Sequence, residues 1–209
     1  MIVGPTGAGK SMRVMEAARH EEIAIISADS RQIYRGFDIG TAKPTPEDLA
    51  RVVHFGVNIV DPAEHYSAFQ WARDAARWIE EADRLGKRPV IVGGTGFYIK
   101  SLFDPPYDEP PVADLALEPE YEIVDPGPRL GSFIETRIDR MLDDGWLAEV
   151  AALIETVPPD AIAWKSSGYR VMREHVEGKH SLAHARERAI IETRQYAKRQ
   201  RTWFRHQLT

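Results

Sequence analysis

The 209-residue chain has no cysteine. Disulfide staples and thiolate metal sites are therefore excluded, and stability has to come from a packed core. No run of apolar residues approaches the roughly 18 that a membrane-spanning helix needs, so no membrane helix is expected. Internal repeats and low-complexity tracts are also missing, which sets aside repeat architectures and disordered chains. Histidine pairs at metal-ligand spacing are scarce: among seven histidines only His180 and His184 stand four apart, among exposed-type polar residues. Zinc is accordingly not expected. Ile2-Val3 already reads as the start of a core strand, so no secretory leader is expected.

What is present suits one globular domain: 43% hydrophobic and 28% charged residues, on a chain long enough to bury a sizeable core. The net charge of −5 speaks against a polyanion partner. Its distribution speaks for one. Between Arg186 and Arg205 seven basic residues face only Glu187 and Glu192, a local positive excess on an otherwise acidic body.

The most specific local pattern is Gly4-Pro5-Thr6-Gly7-Ala8-Gly9-Lys10-Ser11. It fits G-x-x-x-x-G-K-[ST], follows the apolar Ile2-Val3 and precedes the helix-compatible run Met12 to Arg19. Such a loop turns its backbone N–H groups onto phosphate at a helix N-terminus. The glycines permit dihedrals closed to other residues. Lys10 supplies a point charge, and the Ser11 hydroxyl can ligate Mg²⁺. Alone, the loop reads as a nucleoside-triphosphate site.

Ile23 to Ser27 reads as a buried parallel strand that ends at Asp29. Strand ends of an open α/β sheet face the ligand crevice, which would bring Asp29 near the phosphate loop; the plainer alternative is a helix N-cap before Arg31. Phe37 to Pro44, with Lys43, reads as a loop. Thr45 with Pro46 opens a helix, His54 to Val60 reads as a strand, and Ser67 caps a helix over Ala68 to Leu85. Pro89 to Val92 is the next buried strand, running into Gly93-Gly94-Thr95-Gly96-Phe97-Tyr98. A nucleoside-triphosphate hydrolase would place an acid there. Glycines and Thr95 suggest instead a second phosphate nest facing the first, and so a pyrophosphate that is bound and released whole.

Asp104 to Pro128 holds seven of the fourteen prolines and reads as a loop, with one short strand at Tyr121 to Val124. Helices follow over Ser132 to Asp144 and Trp146 to Thr156. Arg137 and Arg140 lie off the centre of the first helix's apolar face, within reach of a phosphate. Ala161 to Val176 is interrupted by Gly168-Tyr169-Arg170. A last helix from Ser181 to about His206 carries Arg194, Lys198, Arg201 and Arg205 on one face, interleaved with Tyr196, Trp203 and Phe204. That stripe suggests a phosphate- or RNA-facing surface. The expected architecture is a single α/β domain over residues 1–209: a P-loop three-layer fold, with a mostly parallel central sheet flanked by helices and a helical C-terminal part.

The phosphate loop, the block Asp29-Ser30-Arg31-Gln32-Ile33-Tyr34 continuing to Lys43-Pro44, and Gly93 to Tyr98 together resemble the tRNA dimethylallyltransferases. So do Gly168-Tyr169-Arg170 and the block from Thr193 to Trp203. This resemblance, nearly end to end, implies transfer of a dimethylallyl group from its diphosphate to the exocyclic amine of the adenine beside the anticodon, in tRNAs reading codons that begin with U. It implies that Gly4, Thr6, Gly7, Ala8, Gly9, Lys10 and Ser11 hold the diphosphate, with Mg²⁺ on Ser11. By the same likeness Asp29 is the general base, and Thr95 and Arg137 contact the diphosphate or bridging oxygen. Arg31, Gln32, Lys43, Gln195, Lys198 and Arg199 then line the channel or the tRNA surface. The implied partners are dimethylallyl diphosphate and the anticodon stem-loop, for a cytoplasmic monomer with no membrane attachment.

The chemistry agrees with the residues. The broken bond is carbon–oxygen, so the site must stabilise a departing pyrophosphate. An allylic carbon gains cationic character as it leaves, and Phe97, Tyr98 or Tyr34 could shelter it. Two departures matter. Family members run longer, mostly through a helical insertion that grips the anticodon stem-loop, for which this chain has only the Pro-rich stretch 104–128. The helix of Arg137 also has Phe133 where an arginine is common. A shrunken insertion leaves AMP open as an alternative acceptor, and the loop alone leaves a small-metabolite kinase.

Overall fold

The computed structural model describes residues 1–104 and 120–207. Within these residues five parallel strands form one sheet: β1 (Ile2–Val3), β2 (Ile23–Ala28), β3 (Val53–Phe55), β4 (Arg88–Gly93) and β5 (Glu122–Ile123). Their spatial order is β3-β2-β4-β1-β5. β4 therefore lies between β1 and β2, in register Val3↔Gly93 and Ala28↔Gly93. This places the ends of β1 and β2 on either side of one crevice. The phosphate loop leaves one end and Asp29 the other, as expected where strand carboxyl ends meet in an open sheet.

Each face of the sheet is covered. On one face α3 (Ala68–Arg84) and α4 (Gly96–Phe103) pack Trp71, Ala72, Ala75, Ile99 and Leu102 over Ile26 and Ile91. Trp71 is wholly buried, and its indole N–H donates to the Ser27 carbonyl at 2.9 Å. On the other, α1 (Lys10–Ala17) lays Val14 against Ile2, Ile25, Val90 and Val92. Each such side chain contributes roughly 1.5–3 kcal/mol on burial. Thr45 and Ser67 cap α2 (Pro46–Arg51) and α3 as full capping boxes, so both helix starts are local decisions of the sequence.

The third apolar cluster belongs to the C-terminal helices: α5 (Leu130–Asp143), α6 (Trp146–Thr156), α7 (Tyr169–Val176) and α8 (Leu182–Gln207). They enclose Ile134, Ile138, Trp146, Tyr169 and Met172 together with Ile33 and Phe37 of the segment after β2. Several boundaries differ from the sequence reading. The strand expected over His54 to Val60 stops at Phe55, because Gly56 and Asn58 both take positive φ. Val60 returns only as a single bridge to Tyr34. Gly168 at φ 83 separates a short turn, Ile162–Lys165, from α7. Much of the Pro-rich stretch 104–128, residues 105–119, lies outside the described residues; the short strand expected in it forms as β5 beside β1.

Candidate active site

The phosphate loop turns tightly between β1 and α1. An added Cβ on Gly4 would lie 2.2 Å from the Val124 carbonyl oxygen, and Gly4 itself has φ 146. Only glycine fits there. Gly9, at φ 96, ends the loop as the N-terminal flank of α1, whose first N–H groups and dipole face outward as an anion site. Lys10 folds back over its own loop, donating to the carbonyls of Gly4 and Pro5 at 2.9 Å each. Burial pushes its pKa down to about 8; the Asp29 carboxylate opposes that shift and the Arg137 guanidinium adds to it.

Lys10, Asp29 and Arg137 meet in one cavity, with Thr6, Ser11, Gln32 and Thr41 on its wall. A second chamber shares Thr6, Asp29, Thr41 and Arg137 and continues to Arg31, Ser166, Thr193 and Tyr196. Asp29 and Arg137 thus stand where the two chambers join. Asp29 Oδ1 accepts the Arg31 N–H at 2.9 Å, and no helix follows it, so the N-cap alternative is set aside. Arg137 reaches Thr6 Oγ1 and the Thr41 carbonyl at 3.4 Å each. Burial lowers its pKa, with Asp29 opposing. The first chamber's apolar wall is aliphatic: Val14, Met15, Ile25, Val57 and Val92. The aromatic shelter expected from Phe97, Tyr98 or Tyr34 is not formed there. Tyr98 stacks on Trp71 at 5.2 Å, Tyr34 is buried in the C-terminal core, and Phe97 is 54% exposed.

The loop from Phe37 to Lys43 is held by residues far away in sequence. Glu149 of α6 accepts the backbone N–H groups of Asp38 and Ile39 at 3.0 and 2.7 Å. Gly40 lies so close to Trp146 that a Cβ would approach its ring at 2.2 Å. Gln32 accepts from the Ser27 hydroxyl and donates to the Ala42 carbonyl at 2.9 Å. Lys43, expected to line the channel or the tRNA surface, lies on the cavity wall, with its amine held inside the chain. Its side chain is 3% exposed, and its amine donates to the Tyr34 carbonyl, Asp38 and Asn58 at 2.5, 2.6 and 2.5 Å. All three protons are used inside the chain, so Lys43 clamps the loop.

The end of β4 is not a second phosphate nest. Thr95 N–H donates to the Ala28 carbonyl at 3.0 Å and Gly96 N–H to the Gly94 carbonyl at 3.2 Å. The glycines admit close neighbours: a Cβ would meet Ala28 O from Gly93 at 2.1 Å, Gln200 from Gly94 at 2.3 Å, and Trp203 from Gly96 at 2.1 Å. Thr95 Oγ1 accepts the Ser30 N–H at 3.0 Å and donates to the Ser30 hydroxyl at 3.2 Å. The Tyr196 phenol joins the same group, its pKa raised by burial and by Asp29. Thr95 ties the β2 and β4 ends together through Ser30.

The basic stripe on α8 also divides. Arg194 pairs with Glu135, and Arg201 pairs with Asp125, reaching one oxygen at 2.8 Å. Arg186 makes a bidentate pair with Asp139 at 2.5 and 2.8 Å. These arginines bind α8 to its own protein. Gln195, Lys198 and Arg199 stay exposed, and Arg199 and Arg31 each lie 5.8 Å from the Tyr196 ring centre. Arg31 Nε is buried without a hydrogen-bond partner. Sequence reasoning assigned no role to Glu149 or Gln200 and gave Tyr196 only a place among the aromatics of the basic stripe. Tyr196 and Gln200 lie within the Thr193 block, but only their contacts show what they do.

Comparison with known proteins matches two family descriptions. IPP transferase covers residues 32–125 and 122–207, and Isopentenyl transferase covers residues 1–55. A tRNA dimethylallyltransferase from Cyanothece sp. is 33% identical over 264 residues, spanning 98% of this chain and 88% of that protein. One from Geobacter sulfurreducens is 34% identical over 273 residues, with the same coverage of 98% and 88%. A solved structure from Staphylococcus epidermidis, a tRNA delta(2)-isopentenylpyrophosphate transferase, superposes with TM-score 0.82 at 28% identity. It spans 97% of this chain and 88% of that one. Both sequence alignments are longer than the chain's 209 residues, so the relatives carry residues with no counterpart here. The IPP transferase match breaks and resumes at residues 122–125.

Proposed function

The chain belongs to the IPP transferase family of tRNA dimethylallyltransferases, and on that premise we propose how its residues divide the work of adenine prenylation. It transfers a dimethylallyl group to an adenine of tRNA. In the finer reading the donor is dimethylallyl diphosphate, the acceptor is the exocyclic amine of the adenine beside the anticodon in tRNAs reading U-starting codons, and diphosphate leaves. The single observation that carries the mechanism is the meeting of Lys10, Asp29 and Arg137 in one cavity, with Asp29 and Arg137 also lining a second chamber beside it.

The phosphate loop holds the diphosphate by its N–H groups and by Lys10, which exchanges the Gly4 and Pro5 carbonyls for phosphate oxygens. Arg137 faces the same oxygens. As the carbon–oxygen bond breaks, negative charge grows on the diphosphate, where these two cations stabilise it most. The aliphatic wall of Val14, Ile25, Val57 and Val92 suits a five-carbon prenyl chain. The adenine amine is a weak nucleophile, since its lone pair delocalises into the ring. Asp29 takes a proton from it as the new carbon–nitrogen bond forms, worth roughly 10²–10⁴-fold. The base has to leave the anticodon stack to reach Asp29, at about a few kcal/mol.

Mg²⁺ fits as a partner of the diphosphate. The described residues hold no cluster of three or more His, Asp or Glu side chains set for a metal. Ser11 and Asp29 line the cavity, and a small hard cation with few protein ligands completes its shell from phosphate oxygens and water. Bound there it would neutralise diphosphate charge. No helix among the described residues is long and apolar enough to cross a membrane. Our reading is of an enzyme that works as a monomer in the cytoplasm. The break in the family match at 122–125 supports a shortened stem-gripping insertion. The deciding experiment is acceptor competition, tRNA against AMP, with labelled dimethylallyl diphosphate and Mg²⁺. Label is expected in tRNA; label in AMP alone, or ATP consumption without transfer, would sink this reading.

A further inference from the structure

Gln200 sits on the inner side of α8 at 6% exposure and spans two loops of the site. Its Oε1 accepts the Thr6 N–H at 2.7 Å, and its Nε2 donates to the Gly94 carbonyl at 2.9 Å. The amide orientation is fixed by chemistry, because the Thr6 N–H only donates and the Gly94 carbonyl only accepts. Thr6 is in the phosphate loop, and Gly94 follows β4. The same helix seats Trp203 on Gly96, and Tyr196 on Thr95 and Ser30. Its exposed side carries Gln195, Lys198 and Arg199.

We infer that Gln200 is a positioning residue for the phosphate loop, setting the loop's reach to diphosphate from the helix that faces RNA. The inference rests on the proposed role of that loop as the diphosphate holder. Thr6 N–H is bonded to Gln200 of α8, so the loop's shape depends on an acceptor supplied at that one place. The Thr6 hydroxyl in turn faces Arg137 at 3.4 Å, and a shift of Thr6 would carry that contact with it. Asparagine is one methylene too short to reach both partners. Methionine has the length of glutamine but none of its hydrogen bonds. Glutamate keeps the acceptor, and it regains the donor only when protonated.

The test measures binding of inorganic pyrophosphate with Mg²⁺ by calorimetry, and binding of tRNA without donor, on the full chain. Gln200→Met is expected to weaken pyrophosphate about tenfold, the effect of one ordinary hydrogen bond, with tRNA affinity unchanged. Ile79→Val, a core change in α3 away from the site, serves as the stability control and should leave pyrophosphate binding unaltered. Gln200→Glu, measured as a ratio to wild type at each pH, should recover pyrophosphate affinity as pH falls; Gln200→Met should not. Wild-type pyrophosphate affinity in Gln200→Met, with only a lower melting temperature, overturns the inference and leaves the reading of the loop intact. If the wild-type protein binds tRNA but no pyrophosphate, the reading of the loop fails and the inference fails with it.

Discussion

The phenol of Tyr169 donates to Glu149 at 2.6 Å and accepts the backbone N–H of Gly40 at 3.0 Å. One hydroxyl thereby joins α6 and α7 to the loop that presents Thr41 to Arg137. Burial and the neighbouring carboxylate raise the Tyr169 pKa well above its ordinary value, so it remains a donor throughout the working range. Tyr169→Phe leaves the Gly40 N–H and a Glu149 oxygen without their partner, and is expected to cost about 1–3 kcal/mol in urea unfolding. Because both residues hold the same loop, Tyr169→Phe and Glu149→Gln should be non-additive in a double-mutant cycle. Additive losses would show that the two act separately.

Asp29→Asn should lower turnover by about 10²–10⁴-fold, the usual share of a general base, with tRNA affinity little changed. The Asp29 carboxylate also supports the charged forms of Lys10 and Arg137. The variant should therefore lose pyrophosphate affinity at a lower pH than wild type does, while binding it normally at neutral pH. A large affinity loss at neutral pH would mean that Asp29 chiefly holds a metal ion.

Lys10 sets a pH limit on donor binding. Its pKa in the free protein is about 8, below the ordinary lysine value, and phosphate binds the charged amine. Below pH 8 the amine is charged already, so affinity should not change through this group. Above pH 8 each binding event must take up a proton, and affinity should fall by up to tenfold per unit. Calorimetry in buffers of differing ionisation enthalpy measures that uptake directly. Uptake near zero at pH 9 would place the Lys10 pKa higher or Lys10 off the phosphate.

The arginines and lysines of α8 should separate in a salt titration. Neutralising Lys198 and Arg199 removes two exposed charges and should reduce the slope of log affinity against log salt by about 0.7 to 0.9 for each RNA phosphate that is no longer neutralised. Arg194→Gln and Arg201→Gln break intrachain pairs with Glu135 and Asp125. These two should alter stability slightly and leave the slope as it was. The opposite pattern would move the RNA surface to the other side of the helix.

Short-range patterns in the sequence determined much of this protein by themselves. The capping boxes at Thr45 and Ser67 need only neighbours a few residues away, and the glycine loop between Val3 and Lys10 and the strand ending before Asp29 are legible as local patterns. Helical periodicity likewise set α5, α6 and α8 to within a turn and put Arg137 off the centre of the apolar face of α5, whereas α7 starts two turns later than the segment read from Ala161. The tertiary structure alone decided what depends on distant partners. Gly93, Gly94 and Gly96 read as a phosphate nest until Ala28, Gln200 and Trp203 arrive against them. Lys43 is spent on Tyr34, Asp38 and Asn58, and Arg194 and Arg201 on acids of another segment. Gln200 lies 194 residues from Thr6. A polar side chain carries no local sign of which backbone group it will satisfy, because that is fixed only when two elements close on each other and exclude water.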